Sequence, residues 1–248
     1  IYSSNTIIQY KRERVRAQIR GFLKPNSDIL ELNAGTGEDG IFFARLGHHI
    51  HETDVSTGML HILSQKINQQ HFEGKITVEN CSFTNLHKLK NKGPYDLIFS
   101  NFAGINCTNE IYPILGYLPE LLKPDGKITL VFLPSFCLWE FLMMFKGKFK
   151  TAFRRFCGKK GAKAHIEGIY FRCWYFRPSK IIKRLRRRFD LIGYEGLCTL
   201  VPPSYIEHFP EKYPQLYAAL KRREDSWKSK WPCRFIGDYV ILSFRKRI

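Results

Sequence analysis

The 248-residue sequence predicts an α/β fold with a doubly wound, mostly parallel sheet. Apolar segments of strand length alternate with helical patterns, which places helices on both faces of a parallel sheet. A glycine-rich turn, Gly35-x-Gly37-x-x-Gly40, separates the first such strand from its helix. A hydrophobic content of 44% and an aromatic content of 15% indicate a folded chain, and the length suits one large domain.

The elements follow in a regular order. Residues 5–23 form an amphipathic helix that ends before Pro25. Strands are predicted over residues 28–32, 50–53, 75–80, 96–100 and 127–132, with helices over 41–46, 59–67 and 111–122 between them. The last two strands are predicted over residues 191–199 and 238–244. We interpret residues 1–248 as a single domain that carries two insertions, 134–177 and 200–236.

The first insertion is unusual in composition. Its apolar residues recur at three- or four-residue intervals over 138–156, which predicts a helix, and residues 166–176 are strand-like. Between residues 146 and 188 there are sixteen Lys or Arg residues and one acid, Glu167. This stretch carries most of the formal net charge of +18 and is a candidate docking surface for an acidic partner.

Other classes of protein are disfavoured. The seven cysteines contain no CxxC pair and the eight histidines no HxxxH or HExxH pattern, so no metal site is predicted. Buried free thiols are expected instead. We find no apolar run of membrane-spanning length and no secretory signal, so a cytoplasmic protein is expected.

Acidic residues at two strand ends indicate the kind of ligand. The glycine turn alone fits a dinucleotide, but Glu31 precedes it and would repel a pyrophosphate. The same carboxylate could accept hydrogen bonds from an ammonium group. Asp54, with Val55 and Met59 behind it, suits a ribose diol with apolar cover nearby. These features favour S-adenosylmethionine (SAM) over a nicotinamide cofactor.

Four motifs together carry a family resemblance: Glu31-x-x-x-Gly35-x-Gly37, Asp54-Val-Ser-x-x-Met-Leu60, Asp96-Leu-Ile-Phe-Ser-Asn101 and Leu122-Lys-Pro-x-Gly126. With them the chain resembles the class I SAM-dependent methyltransferases, in particular the type 11 group that includes the ubiquinone/menaquinone C-methyltransferases. The resemblance implies a Rossmann-like methyltransferase fold with seven strands, the last inserted antiparallel. It also implies that SAM is the cofactor and that the insertion after the fifth strand is a substrate lid.

The resemblance assigns site residues as well. The methionine part of SAM is expected at Glu31, Ala34, Gly35, Thr36 and Gly37, and the ribose at Asp54. Val55 and Met59 would flank the adenine, whereas Ser82, beside Phe83, stands where the family usually has an aspartate. Asn101 and Phe102 would close the site beside the sulfonium. Asn33 and Ala34 also depart from the usual Gly or Cys followed by Gly, which requires that the backbone there avoid positive φ.

We therefore expect methyl transfer to a small or lipid-like, hydrophobic acceptor, with 134–177 and 200–236 as lids. The sequence identifies no catalytic base, although Tyr2, Tyr10, His165, Tyr170 and Tyr175 are possible. Three interpretations of the basic stretch stay open: a solvated lid face, contact with an anionic membrane surface by a peripheral protein, or binding of an acidic carrier protein or RNA. The alternative functions are an RNA methyltransferase that uses the 146–188 surface and a non-catalytic SAM-binding module. Nucleic acid is the less favoured partner, because Asn101-Phe-Ala-Gly104 lacks the Asn/Asp-Pro-Pro-aromatic turn of adenine N-methyltransferases.

Overall fold

A seven-stranded sheet forms the centre of the molecule, and the fold class predicted from the sequence is confirmed. The computed structural model describes residues 5–166, 169–206 and 208–247. The sheet has the order β3-β2-β1-β4-β5-β9-β8. All neighbouring strands are parallel except β9, which lies antiparallel between β5 and β8. The strands are β1 Asp28–Leu32, β2 His49–Asp54, β3 Ile76–Asn80, β4 Tyr95–Ser100, β5 Leu122–Phe132, β6 Ala162–Ile166, β7 Ile169–Cys173, β8 Phe189–Leu197 and β9 Tyr239–Lys246.

Helices cover both faces of this sheet. They are α1 Thr6–Arg20, α2 Glu38–Arg45, α3 Thr57–Gln69, α4 Ile111–Tyr117, α5 Leu138–Leu142, α6 Phe149–Phe153, α7 Pro178–Leu185, α8 Phe209–Lys212, α9 Pro214–Trp227 and α10 Cys233–Ile236. Alternate strand residues enter two separate cores. Leu30 and Ile98 pack in the core that holds α4 and α7, whereas Ile29 and Phe99 pack in the core that holds α1, α2 and α3. This alternation is expected of strands that are buried on both faces.

The first insertion is more broken than its sequence pattern predicts. Instead of one helix over 138–156, it forms α5, a 3₁₀ turn, α6 and a second 3₁₀ turn. Gly147, at a φ of 70°, ends the first helical piece and accounts for the break. The strand-like residues then pair as the β6–β7 hairpin, which begins at Ala162, earlier than predicted.

The basic stretch, which the sequence predicts as one surface over 146–188, extends from the carboxyl edge of the sheet to its amino edge. Ser135, just after β5, donates its backbone N–H to Phe176, which places that part at the carboxyl edge of the sheet. After α7, the carbonyl of Arg188 accepts from Arg247 at the opposite, amino edge. Two of the cations, Arg154 and Arg155, also form ion pairs with acids of the fold. Arg186, Arg187 and Arg188 therefore lie away from the insertion.

Five of the seven cysteines are buried, as expected, whereas Cys107 is exposed and Cys157 is half-buried; all seven are free thiols. Among the described residues, no helix combines the length and the apolar character that crossing a membrane requires.

Candidate functional site

The glycine turn lies at the carboxyl edge of the sheet, between β1 and α2. Asn33, Gly35 and Gly37 have positive φ values of 53°, 59° and 72°. Ala34 donates its N–H to the carbonyl of Thr53 at 3.0 Å, which fixes the turn against β2. The expectation that residue 33 avoids positive φ is therefore wrong. Asparagine tolerates this conformation, and the side chain of Asn33 forms hydrogen bonds with Ser100 and with the carbonyl of Asn101.

The three glycines of the motif serve different purposes. A Cβ on Gly35 would meet no atom within 4 Å, so the space in front of this backbone is open. A Cβ on Gly37 would overlap the side chain of Leu63, and one on Gly40 would overlap the carboxylate of Glu52. Gly37 and Gly40 therefore permit close packing of α2, and Gly35 leaves room for a ligand to approach the main chain.

Asp54 connects the glycine turn to the end of β2. Its carboxylate accepts from the N–H of Gly35 at 2.9 Å and from the N–H of Ser56 at 2.8 Å. Ser56, and not Asp54, caps α3 through its hydroxyl, which accepts from the N–H of Met59. A carboxylate oxygen has two lone pairs, so each oxygen of the half-buried Asp54 can accept one further hydrogen bond.

Apolar side chains stand exposed beside Asp54. Val55 is 69% exposed and Met59 is 40% exposed, at the start of α3. The end of β3 lies against the same segment, because Asn80 donates to the carbonyls of Asp54 and Val55. Ser82 and Phe83 follow it and are half-buried. These four predicted site residues, Val55, Met59, Ser82 and Phe83, therefore follow two neighbouring strand ends.

Asn101 and Phe102 are held by groups that the sequence motifs did not identify. The amide of Asn101 donates to Asp39 at 2.8 Å, and Asp39 also accepts from Arg12 and Arg16 of α1. The guanidinium of Arg12 lies 4.6 Å from the ring centre of Phe102. α1 therefore covers the end of β4, and Asn101 is buried within this network.

Glu31, which is predicted to bind the methionine part of SAM, is only 3% exposed. It is buried beside Glu52, its partner in the β1–β2 register. Two ionised carboxylates offer no donor to each other, and within the described part of the chain Glu31 Oε2 and both oxygens of Glu52 have no other hydrogen-bond partner. Burial, then the charges of Glu52 and Asp39, raise the pKa of Glu31 well above its usual range, and burial also raises that of Glu52. We infer that the pair retains a proton near neutral pH.

A second buried network ties the first insertion to the body of the domain. Asp238 accepts from Lys11 of α1 at 3.2 Å and from Arg155 at 2.7 Å, and Arg155 also pairs with Glu140 of α5. Cys137, Glu140 and Asp238 lie close enough together to share a metal ion. Both carboxylates already bind these cationic side chains, so the chemistry of this group fits an ion-pair network better than a metal centre.

The structure separates the proposed bases from one another. Tyr10 is buried and donates to Glu224, and its pKa is raised mainly by burial. The rings of His165 and Tyr170 face each other on the β6–β7 hairpin, where both residues are exposed. Tyr175 is half-buried beside Arg155, and Tyr2 lies outside the described residues. These positions single out no base among the described candidates.

The contributions of Asp39, Glu52 and Arg12 were missed by sequence reasoning. One signal was available for Glu52, because an acid in the middle of the strand His49–Asp54 must be buried when both faces of the sheet are covered. Asp39 and Arg12 carried no comparable signal, since acids and cations are common on helix surfaces.

A cavity of about 410 Å³ lies at the other, amino edge of the sheet, lined in part by Asp28, His49, Tyr95 and Lys123. Open α/β sheets bind their ligands outside the carboxyl ends of the strands. We therefore assign the candidate site to the carboxyl edge, where the glycine turn and Asp54 meet.

Comparison with known proteins gives the domain type and the fold that this chain resembles. Residues 29–126 match a family model described as a methyltransferase domain. A search of curated proteins finds no match. The fold is shared with an S-adenosylmethionine-dependent methyltransferase structure from Listeria monocytogenes, with a TM-score of 0.66, 14% identity, and coverage of 96% of this chain and 99% of that one.

Two further structures have the same fold. The 1,6-didemethyltoxoflavin-N1-methyltransferase of Burkholderia thailandensis, solved with S-adenosylhomocysteine, has a TM-score of 0.57 and 14% identity, over 100% of this chain and 81% of that one. A geranyl diphosphate methyltransferase in complex with SAM has a TM-score of 0.60 and 10% identity, over 96% and 85%. At these identities the likeness establishes the fold. The methyltransferase-domain match over residues 29–126, joined to this fold, supports a SAM-dependent methyltransferase with SAM as its cofactor.

Proposed function

We propose that this protein binds SAM along the carboxyl edge of the sheet and transfers its methyl group to a small or lipid-like, hydrophobic acceptor. The observation that carries the proposal is the junction between Gly35 and Asp54. There an open backbone turn and a carboxylate with free acceptor capacity lie 2.9 Å apart. A nucleoside needs such a carboxylate for its two ribose hydroxyls.

The adenine would lie between the exposed side chains beside Asp54. Val55 and Met59 would cover one part of the ring, and Ser82 and Phe83 the other. Covering exposed apolar side chains with a ring removes both from water, which favours binding. The methionine part would follow the turn formed by Ala34, Gly35, Thr36 and Gly37. Glu31 would then accept a hydrogen bond from the ammonium group of SAM, directly or through water, from its buried position on β1.

Methyl transfer from SAM requires few catalytic groups from the protein. A lone pair of the acceptor attacks the methyl carbon of SAM, the bond from carbon to sulfur breaks, and S-adenosylhomocysteine leaves as a neutral thioether. The protein must align the acceptor opposite the sulfur and exclude competing water. A hydroxyl or carbon acceptor must also lose a proton, for which His165, Tyr170 and Tyr175 are the accessible candidates of the five named above within the described residues.

The insertions 134–177 and 200–236 would form the lid over the acceptor. Trp139 of the first donates its indole N–H to the carbonyl of Thr199 at 2.9 Å, just before the second. Phe102, Phe136 and Tyr175 are half-buried and would provide apolar walls. The resemblance of the motifs to the ubiquinone/menaquinone C-methyltransferase group also favours a hydrophobic acceptor.

Isothermal calorimetry with SAM tests the cofactor site. We expect Asp54→Ala to weaken binding by about 1–3 kcal/mol, because charge-assisted hydrogen bonds to the ribose are lost. Asp190→Ala is the matched control, since Asp190 pairs with Arg247 at the amino edge. Unchanged affinity in Asp54→Ala would contradict the assigned role.

Transfer of a labelled methyl group to a panel of acceptors tests the activity. Transfer to amphiphilic or apolar acceptors is expected. Transfer to RNA alone would favour an RNA methyltransferase, and tight SAM binding without transfer to any acceptor would favour a non-catalytic module.

A further inference from the structure

The first insertion turns its apolar side chains outward. Ala152 and Arg155 of the α6 region are buried, whereas Phe149, Phe153 and Phe156 are exposed. A helix on a protein surface normally buries its apolar stripe and presents its charges to water. Here the order is reversed, because the guanidinium of Arg155 enters the buried network with Glu140 and Asp238.

The exposed side chains are large. Their exposure ranges from 41% for Leu142 to 77% for Phe145. Among them, the rings of Phe153 and Phe156 lie 6.1 Å apart, and the half-buried ring of Phe141 lies 6.4 Å from that of Phe153. We call the group the lid patch; it consists of Leu142, Phe145, Phe149, Phe153 and Phe156. An apolar surface of this kind indicates a contact with another apolar phase or molecule.

Along the chain, the exposed charges beside the lid patch have one sign. Residues 141–166 contain no Asp or Glu, and the nearest acid before them, Glu140, is buried and paired with Arg154 and Arg155. Lys146, Lys148 and Lys150 are exposed and alternate with the phenylalanines in sequence. Phenylalanine beside lysine suits the interface of a bilayer, where the ring enters the acyl boundary and the ammonium group remains among anionic headgroups.

We propose that the lid patch and its lysines dock on the surface of an anionic lipid bilayer. Leucine and phenylalanine gain most from an apolar phase, and Leu142 could not stack on a nucleobase. The two arginines of the segment, whose forked geometry suits RNA phosphates, are instead engaged in the network around Glu140. Charge complementarity and apolar exposure thus favour a bilayer over RNA. In one respect the inference rests on the proposed function: the membrane would be the source of a lipid-like acceptor.

Vesicle co-sedimentation of the full chain tests the docking. The vesicles are pure phosphatidylcholine, or phosphatidylcholine with about one third phosphatidylglycerol. We expect binding to the anionic vesicles only. Phe145→Ser with Phe149→Ser, and separately Lys146→Gln with Lys148→Gln and Lys150→Gln, should each lower the partition constant by about tenfold or more.

Two control variants match these changes elsewhere on the molecule. Arg186→Gln with Arg187→Gln and Arg188→Gln removes the same charge at the amino edge, and Leu191→Ser with Ile192→Ser removes exposed apolar side chains from β8. Both should bind vesicles within about twofold of the unmodified chain. The mutated side chains are exposed, and thermal unfolding followed by circular dichroism verifies that every variant is folded.

Three outcomes would overturn the docking proposal. They are no binding of the unmodified chain to anionic vesicles, binding of the phenylalanine and lysine variants as strong as that of the unmodified chain, or a loss of binding in the control variants as large as in those variants. Binding to transfer RNA is the alternative outcome. If the lysine variant loses this binding, the phenylalanine variant keeps it, and transfer RNA displaces the vesicles, the surface binds nucleic acid instead. The assay contains neither SAM nor acceptor, so its failure is distinct from a failure of SAM binding in calorimetry.

Discussion

The buried pair Glu31–Glu52 makes stability depend on pH in a direction opposite to that of a salt bridge. Both carboxyl groups are buried next to each other, with Asp39 close by. Exchange of Glu52 for glutamine keeps the size of the side chain, removes one titrating group and supplies an amide donor to Glu31. The expected result is a protein that is more stable near neutral pH and unchanged in moderate acid.

The sign follows from proton binding. Because the folded-state pKa is raised, the folded chain retains a proton that the unfolded chain has lost above the ordinary carboxyl range. The free energy of unfolding is therefore greatest in acid, below the ordinary carboxyl pKa. It falls as pH rises, by about 1.4 kcal/mol per pH unit for one retained proton. From about pH 5.5 to about pH 7 the loss amounts to roughly 2 kcal/mol.

Urea unfolding at about pH 5.5 and about pH 7 measures the effect. Glu52→Gln should match the unmodified chain at the lower pH and exceed it by about 2 kcal/mol at the higher pH. Titrating groups that do not contact this pair cancel in this difference. Glu120→Gln, an exchange on the surface, should show no such pH dependence. A variant that is less stable at the higher pH, or a difference that is equal at both pH values, would refute the shared proton.

Three further predictions concern the site and the lid. Gly35→Val should weaken SAM binding in calorimetry by at least about tenfold, because it strains a backbone at a φ of 59° and fills the open space; undiminished binding would refute this. Arg155→Met should lower the free energy of unfolding in urea by about 3 kcal/mol, because it leaves Glu140 and Asp238 short of a partner; a loss under about 0.5 kcal/mol would contradict it. Burial alone would raise the pKa of Asp238, but Lys11 and Arg155 outweigh it and lower the pKa. This stabilisation is present above the ordinary aspartate pKa and is lost in acid. The unmodified chain should therefore unfold at a lower urea concentration near about pH 3 than near about pH 7, and this difference should be smaller in Arg155→Met.

Local sequence patterns predicted most of the sheet. They could not predict the contacts between residues that are distant in the sequence. The strand ends at Glu31, Asp54 and Asn101 follow from short apolar runs and the turns after them, and the glycine turn follows from Gly35. The ion pair of Lys11 and Asp238 joins residues at opposite ends of the chain, and no local pattern indicates it.

Turn chemistry set a second limit on prediction. The helix predicted over 138–156 fails because the left-handed turn at Gly147 competes with an apolar period that suits a continuous helix. The positive φ of Asn33 differs from the expectation that a residue other than glycine avoids this conformation. The side chain of Asn33 forms hydrogen bonds at the end of β4 that stabilise it.

The close contact between α2 and β2 also restricts how this sequence can change. Residue 40 has no room for a methyl group as long as a carboxylate occupies the space above it from position 52. A larger residue at 40 becomes acceptable only after the side chain at 52 is shortened. The two positions should therefore vary together among homologous sequences, with alanine at the first accompanied by a small residue at the second, and directed evolution of α2 should reach such variants through position 52 first.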